Sequence, residues 1–267
     1  MQNYRPISLF LCLILLADTV LASENCFIAK ENGKVLKSEG DCKSSYTPES
    51  TFKIALSLIG FDSGILKDEI NPTWSLPQGA DPYINVYKTD HNPKTWLRDS
   101  CLWYSRILTT KLGMTKFQDY MTKFSYGNMD LSGDKGQSNG LINSWILSSS
   151  LKISPEGQTE FLQKLVEQKL PVSKESFDKS KKIMFIQEMS GGWKLYGKTG
   201  NGVLRDKHGN KIDLQHGWFV GYIEKESRSI VFASHVTDSK KHKVFASFRA
   251  RNEALNELWY LIDELEK

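Results

Sequence analysis

The stretch Ser50-Thr51-Phe52-Lys53, followed by Ile54-Ala55-Leu56, begins the first helical pattern of the chain. Residues three apart share one face of a helix, so the Lys53 amine is expected beside the Ser50 hydroxyl. A serine needs a base to become a nucleophile near neutral pH, and apolar neighbours disfavour the charged form of a lysine. The pattern predicts an activated serine, and an ordinary solvated lysine beside an N-cap serine is the alternative.

A second motif, Lys198-Thr199-Gly200, follows the run Trp193-Lys194-Leu195-Tyr196-Gly197. Read as the end of a strand, it presents a cation and a hydroxyl, and its glycine permits close approach of another group. Such a set suits a substrate carboxylate. Taken alone, the motif favours the alternative, an edge-strand lysine before a turn.

The pattern around these motifs predicts an α+β fold. Asn32-Gly33 between two apolar runs indicates a β-hairpin, and residues 70–96 contain four prolines and are predicted to be loop. The predicted helices cover residues 50–61, 99–124, 161–170 and the C terminus, and the predicted strands cover residues 193–197, 218–223 and 229–234. This order predicts a sheet built from both chain ends, with a helical insertion between them.

Composition excludes several classes of protein. The chain has 267 residues, of which 40% are hydrophobic, which is too many for a disordered chain and too few for a polytopic membrane protein. The net charge of +4, from 35 basic and 31 acidic residues, gives no reason to expect a nucleic-acid partner. The five histidines contain no His-x-His pair, so no metal site is expected.

The N terminus has the layout of a cleaved secretory signal. Arg5 precedes an apolar run from Ile7 to Leu16. Val20-Leu21-Ala22 follows, and its last residue is small, as is typical of the position before a signal-peptide cleavage site. We expect residues 1–22 to be removed and residues 23–267 to form a single catalytic domain with a helical insertion, without a membrane anchor. A buried N-terminal strand or helix is the alternative.

Export changes the interpretation of the cysteines. Cys26 and Cys42 lie near the outer ends of the predicted hairpin, so a disulfide between them is expected in an oxidising compartment. Two free thiols are the alternative. Cys12 would be lost with the signal, which leaves Cys101 beside Ser100.

Together the motifs resemble the class D, OXA-type serine β-lactamases. Ser-x-x-Lys with a later Lys-Thr-Gly is shared by serine β-lactamases and penicillin-binding proteins. The subclass is indicated by four further segments: Ser100-Cys101-Leu102, Tyr126-Gly127-Asn128, Trp145, and Gly217-Trp218-Phe219-Val220-Gly221. Class A is disfavoured because Ser-Asp-Asn is missing, and class C leaves Ser100 and Trp145 unexplained. The resemblance spans nearly the whole mature chain and implies an antiparallel sheet flanked by helices, plus a helical lobe.

The resemblance also implies the catalytic roles. Ser50 would be the acylated nucleophile, and Lys53 the lysine that CO2 carboxylates to a carbamate, which acts as general base. Trp145 would hold that carbamate through its indole N–H, and Ser100 would pass a proton to the lactam nitrogen. Apart from CO2 or bicarbonate, no cofactor is expected.

The implied substrate contacts lie mainly on the predicted strand. Lys198, Thr199 and Arg249 would bind the substrate carboxylate, and the backbone N–H groups of Ser50 and Asn201 would form the oxyanion hole. The remaining candidates at the substrate site are Gly200, Tyr126, Leu102 and Ile146. The family usually has Val at the position of Leu102 and Leu at that of Ile146, which puts substrate preference in doubt.

The sequence therefore predicts a periplasmic β-lactamase, a monomer or homodimer, that hydrolyses penicillin-type antibiotics and confers resistance. Two alternatives stay open, because both share the fold and the motifs. One is a penicillin-binding sensor that stays acylated, and the other is a D,D-peptidase.

Overall fold

A six-stranded antiparallel sheet forms the centre of the protein, in a computed structural model that describes residues 25–80, 85–206 and 208–267. The strand order is β2-β1-β6-β5-β4-β3. Strands from the first 40 residues thus pair with strands from the last third, which confirms a sheet built from both chain ends. The strands are β1 Cys26–Glu31, β2 Lys34–Gly40, β3 Phe185–Glu188, β4 Lys194–Arg205, β5 Lys211–Lys225 and β6 Arg228–Thr237.

The predicted hairpin and disulfide are both confirmed. Asn32 and Gly33 have φ values of 51° and 79°, the pair of left-handed residues that a tight two-residue hairpin turn requires. Cys26 lies opposite Gly40 in the β1–β2 register. This places Cys42 just beyond the hairpin end, where it forms a disulfide with Cys26 at a Cα–Cα distance of 5.1 Å.

The helices form a lobe between the two parts of the sheet, and one long helix ends the chain. Short 3-10 helices cover Glu49–Phe52, Asn85–Lys88 and Ser190–Gly192. The α-helices are α1 Lys53–Asp62, α2 Pro93–Asp99, α3 Leu102–Leu112, α4 Met114–Phe124, α5 Gly140–Asn143, α6 Pro155–Val166, α7 Lys174–Met184 and α8 Ala246–Leu265.

Several helix boundaries differ from the predictions. The segment predicted as loop contains α2, because Pro93 occupies the first helical turn and Asn92 caps it by accepting from the Thr95 N–H. The single helix predicted over 99–124 is two helices, broken at Gly113 (φ 81°). The helix predicted over 161–170 begins at the start signal that precedes it, Ser154-Pro155-Glu156, where Ser154 accepts a hydrogen bond from the Gly157 N–H, and it ends at Val166.

Each face of the sheet packs against helices. On one face, Leu258 and Ile262 of α8 join Phe219 and Phe232 of the sheet in an apolar cluster. On the other face, a larger cluster joins the sheet to α1 and the helical lobe. This confirms the predicted sheet flanked by helices. Within the described ranges, no helix is long and apolar enough to cross a membrane, and the predicted signal at residues 1–22 lies outside them.

Candidate active site

The Ser50–Lys53 pair lies where the two layers meet. Ser50 is in the 3-10 helix that leads into α1, and Lys53 is the first residue of α1. The Lys53 Nζ and the Ser50 Oγ are 2.9 Å apart, and Lys53 is completely buried. Burial lowers the pKa of Lys53 to about 8, against weaker opposing effects of Cys101 and Glu49. About a tenth of the lysine is therefore a neutral amine at pH 7, far more than for an ordinary lysine, and that amine is placed to take the serine proton.

Trp145 lies against the same segment and has an unusual indole. Its ring packs at 5.6 Å from the ring of Phe52 and at 6.0 Å from that of Phe117. The Trp145 carbonyl accepts from the Glu49 N–H at 2.9 Å, which ties it to the residue before Ser50. In the described parts of the chain, the buried Trp145 Nε1 has no hydrogen-bond partner. An unpaired buried donor is costly, so this N–H is suited to an acceptor that the protein alone does not supply.

Ser100 lies in the junction between α2 and α3. It caps α2 with φ 66°, a left-handed conformation that costs free energy for a residue other than glycine. Cys101 follows it, is buried, and is close enough to Lys53 for their charges to interact. Burial raises the pKa of Cys101 to about 11, so the thiol is neutral beside the lysine rather than a competing nucleophile.

Strand β4 forms the opposite wall. A Cβ on Gly200 would lie 2.9 Å from the Pro48 carbonyl oxygen and 3.2 Å from the Ser50 nitrogen, so glycine permits this approach. Lys198 is 6% exposed. Burial and then the nearby Lys53 lower its pKa to about 7, against the opposing charge of Asp99. The structure thus brings the Ser50–Lys53 and Lys198–Gly200 motifs together.

Asn201 and Thr199 complete this wall. The Lys198 Nζ donates to the Thr199 carbonyl at 3.1 Å and lies 3.4 Å from its hydroxyl. The Asn201 side chain donates to Gln215 at 3.2 Å and accepts from the Ser247 N–H at 3.1 Å. These bonds fix the strand against the start of α8, with the Asn201 backbone next to the Gly200–Ser50 contact.

The two arginines at the start of α8 have different surroundings. Arg249 forms an ion pair with the buried Asp238. Arg251, two residues on and so on another face of the helix, lines a cavity of about 400 Å³ together with Lys198 and Thr199. The sequence predicts Arg249 at the substrate site and does not single out Arg251, because no local motif distinguishes the two.

The other predicted site residues lie beneath the surface of the site. Tyr126 is 1% exposed and packs edge-on against Phe52 at 5.2 Å between ring centroids. Its hydroxyl lies 3.4 Å from Gln158, which in turn donates to Thr51. Ile146 is buried behind Trp145, and Leu102 is half-buried at the start of α3. Tyr126 therefore supports the segment that carries Ser50.

No cluster of three or more His, Cys, Asp or Glu side chains that could hold a metal ion occurs among the described residues. The polar groups described around the Ser50 segment are instead two lysines, hydroxyls, an unpaired indole N–H and backbone amides. These groups suit acyl transfer through a serine nucleophile and do not form a ligand set for a divalent cation.

Comparisons with known proteins agree with this chemistry. Residues 19–259 match the penicillin-binding protein transpeptidase domain family. The chain is 41% identical over 229 residues to the β-lactamase OXA-9 of Klebsiella pneumoniae, covering 85% of this chain and 83% of the relative. It is 37% identical over 239 residues to the β-lactamase OXA-1 of Escherichia coli, covering 87% of this chain and 83% of the relative.

A solved structure gives the same result for the fold. The crystal structure of the OXA-427 class D β-lactamase superimposes with a TM-score of 0.85 at 39% sequence identity, covering 90% of this chain and 99% of the other. The chain therefore belongs to the class D, OXA-type serine β-lactamases, and it is an enzyme of that class.

Proposed function

We propose that the enzyme hydrolyses the amide bond of penicillin-type β-lactams through an ester on Ser50, and so confers resistance to them. The observation that carries the proposal is the 2.9 Å contact between the Ser50 Oγ and the buried Lys53 Nζ. In the first half-reaction the Ser50 oxygen bonds to the lactam carbonyl carbon and the carbon–nitrogen bond breaks. In the second half-reaction water cleaves the ester and regenerates the serine.

Lys53 is the residue that would be modified by CO2. Only the neutral amine reacts with CO2, and the lowered pKa of about 8 supports that form. The unpaired Trp145 Nε1–H is a donor suited to a carbamate oxygen, so the residues present fit the modification. When carboxylated, Lys53 would supply an anionic general base for both half-reactions.

Ser100 would deliver the proton to the leaving lactam nitrogen. Its left-handed conformation at the α2–α3 junction supports this role, because strained residues other than glycine are concentrated at functional sites. The neutral thiol of Cys101 beside it would leave the Lys53 site free of a second anion.

Backbone amides of Ser50 and Asn201 would bind the developing oxyanion. The close approach of Gly200 to the Ser50 nitrogen supports this assignment. Lys198 and Thr199 would bind the substrate carboxylate at the mouth of the cavity. Arg251, which lines that cavity, is a better placed second cation than Arg249, which is engaged by Asp238.

Export to the periplasm is the compartment that best fits the chain. The Cys26–Cys42 disulfide supports it, since such bonds persist in oxidising compartments. The apolar run Ile7 to Leu16 supports removal of residues 1–22 as a signal. Intact-mass measurement of the protein from a periplasmic extract tests both points, and a mass that includes residues 1–22 would contradict cleavage.

The decisive experiment is steady-state turnover of a chromogenic cephalosporin with added bicarbonate, with intact-mass detection of acylated protein and Ser50→Ala as control. We expect many turnovers per enzyme and an adduct that Ser50→Ala lacks. Stoichiometric acylation without turnover would contradict hydrolysis and favour a penicillin sensor. Release of D-alanine from a peptide, without lactam hydrolysis, would favour a D,D-peptidase.

A further inference from the structure

Behind the nucleophile lies a buried row of three polar residues that the roles above do not use. Glu49, His216 and His235 are 2%, 1% and 0% exposed. A Glu49 carboxylate oxygen (Oε1) lies 3.5 Å from the His216 Nε2, and the His216 Nδ1 lies 3.2 Å from the His235 Nε2. Tyr46 covers His235 with its ring at 4.0 Å. Burying polar groups costs free energy unless they are paired with one another. The contacts within the row therefore explain how three such side chains can be buried together.

A glycine in strand β4 leaves the space in which this row forms. Gly202 lies opposite His216 in the β4–β5 register. A Cβ on Gly202 would lie 2.2 Å from the His216 Nε2 and 2.5 Å from the Glu49 Oε1. Any side chain at position 202 would therefore separate the histidine from the carboxylate.

The unpaired atom of the row fixes the direction of its hydrogen bonds. In the part of the chain that the structure describes, the buried His235 Nδ1 has no partner. An unpaired N–H is costlier there than an unpaired lone pair, so Nδ1 carries no proton and Nε2 does. His235 then donates to the His216 Nδ1, and His216 presents its own Nε2–H to the Glu49 carboxylate across the 3.5 Å electrostatic contact.

Glu49 in turn holds the turn that follows Trp145. Its carboxylate accepts from the Leu147 N–H at 3.1 Å and from the Ser148 N–H at 3.4 Å. Leu147 and Ser148 have φ values of 55° and 59°, a left-handed pair that needs outside contacts to persist. Together with the Glu49 N–H bond to the Trp145 carbonyl, three bonds from one residue fix this turn.

We propose that His216 is a positioning residue, which holds the Glu49 carboxylate so that the turn at residues 147–148 keeps the Trp145 indole directed at the carboxylated Lys53. The proposal rests on the proposed function, because it assumes that Lys53 is modified. It assigns no substrate contact to His216, which acts only through Glu49 and the turn. Its consequence is a tighter hold on the carbamate, and so a lower bicarbonate requirement.

The test is a titration with 13C-bicarbonate in which NMR measures the Lys53 carbamate directly, without substrate. For His216→Leu we expect the bicarbonate concentration at half-maximal signal to rise about tenfold, as for loss of one hydrogen bond to a charged group. His216→Gln keeps an N–H donor at a similar reach and should stay close to wild type. Leu258→Ala in α8 is the matched control, since it also removes buried packing but lies outside the row.

The outcomes distinguish the positioning role of His216 from the carboxylation of Lys53. A wild-type signal with an unshifted His216→Leu titration would overturn the positioning role alone, and so would an equal shift in Leu258→Ala. Absence of any wild-type signal would overturn the carbamate and the positioning role together. If His216→Leu does not fold, Gly202→Ala serves instead, because it keeps every side chain of the row and should produce the same shift.

Discussion

Two buried lysines face each other across the site, and their surroundings differ more than their burial does. Lys53 is on a helix beside a serine hydroxyl and aromatic packing, whereas Lys198 is on a strand beside a carbonyl and a cavity. Burial lowers the pKa of both, to about 8 and about 7. Burial therefore makes the neutral form of both lysines available, and the neighbouring groups determine whether each lysine reacts or binds. We expect chemistry at Lys53 and binding at Lys198.

The largest expected effect is on kcat for a change at Lys53, whereas a change at Lys198 should act mainly on KM. Lys53→Ala should lower kcat by about 10³- to 10⁴-fold, the upper part of the range for loss of general-base catalysis, and should leave the acyl-enzyme trapped. Lys198→Ala should mainly raise KM, because it removes a charge that binds the substrate carboxylate. Steady-state kinetics with intact-mass detection of the adduct measures both. Equal losses of kcat in the two variants would break the comparison.

The pH dependence should differ in sign between the two lysines. Below a pKa of about 8 the Lys53 amine is increasingly protonated and cannot react with CO2, so the carbamate should be lost as the pH falls. At a fixed concentration of dissolved CO2, carbamate formation should slow by about fiftyfold from pH 8 to pH 6, because the neutral fraction of Lys53 falls from about one half to about one hundredth.

Lys198 should act in the opposite direction. Its ammonium is present below a pKa of about 7, so KM should rise as the pH increases above that value. Profiles of kcat and KM at a fixed concentration of dissolved CO2 separate the two effects. A KM that falls between pH 7 and pH 9 would contradict the binding role.

Replacement of Trp145 should have a smaller and rescuable effect. Trp145→Phe keeps an aromatic ring but removes the unpaired indole N–H. We expect kcat at ambient CO2 to fall by roughly 10- to 100-fold, the value of one hydrogen bond to a charged group, and added bicarbonate to restore most of it. Loss of activity that bicarbonate does not rescue would indicate a packing role only.

The smallest effect should distinguish the two arginines. Arg251→Ala should raise KM by about tenfold for an anionic substrate, comparable with the loss of one partly exposed charge contact. Arg249→Ala should instead leave the buried Asp238 without its cation and lower the free energy of unfolding by about 3 kcal/mol. Kinetics and thermal denaturation of both variants decide the matter. A higher KM for Arg249→Ala but not for Arg251→Ala would support Arg249, the arginine predicted from the sequence, as the one that binds the substrate carboxylate.

Local patterns explain how much of the fold could be predicted. Turn signals and periodicity between adjacent residues predict the Asn32-Gly33 hairpin, the helix at Ser50 and the two strands β4 and β5. Helix α7 was missed because it is polar overall: four lysines and two acidic residues surround a narrow buried face in which Ser176 and Ser180 accompany few apolar residues. Helix α2 was missed because Pro93 was taken as a loop signal rather than as a helix start.

The site shows the same limit at longer range. Ser50, Lys53 and Lys198 were found because each lies in a short motif, and the structure brings them together. The contact of Glu49 with His216 was not predictable, because it joins residues 167 positions apart through the gap at Gly202. The choice between Arg249 and Arg251 depends on the rotation of α8, which the amphipathic pattern alone does not fix to one residue.

The position of β1 inside the sheet has a consequence for how the chain acquires its fold. β1 is hydrogen-bonded on one side to its neighbour in sequence, β2, and on the other to β6, which ends at Thr237. The N-terminal hairpin therefore leaves an open edge until nearly the whole chain has been synthesised. Such distant pairing gives a high contact order and slow folding. An exported chain of this topology can pass a membrane before its sheet closes, and closure of β1 onto β6 would then complete the enzyme on the far side.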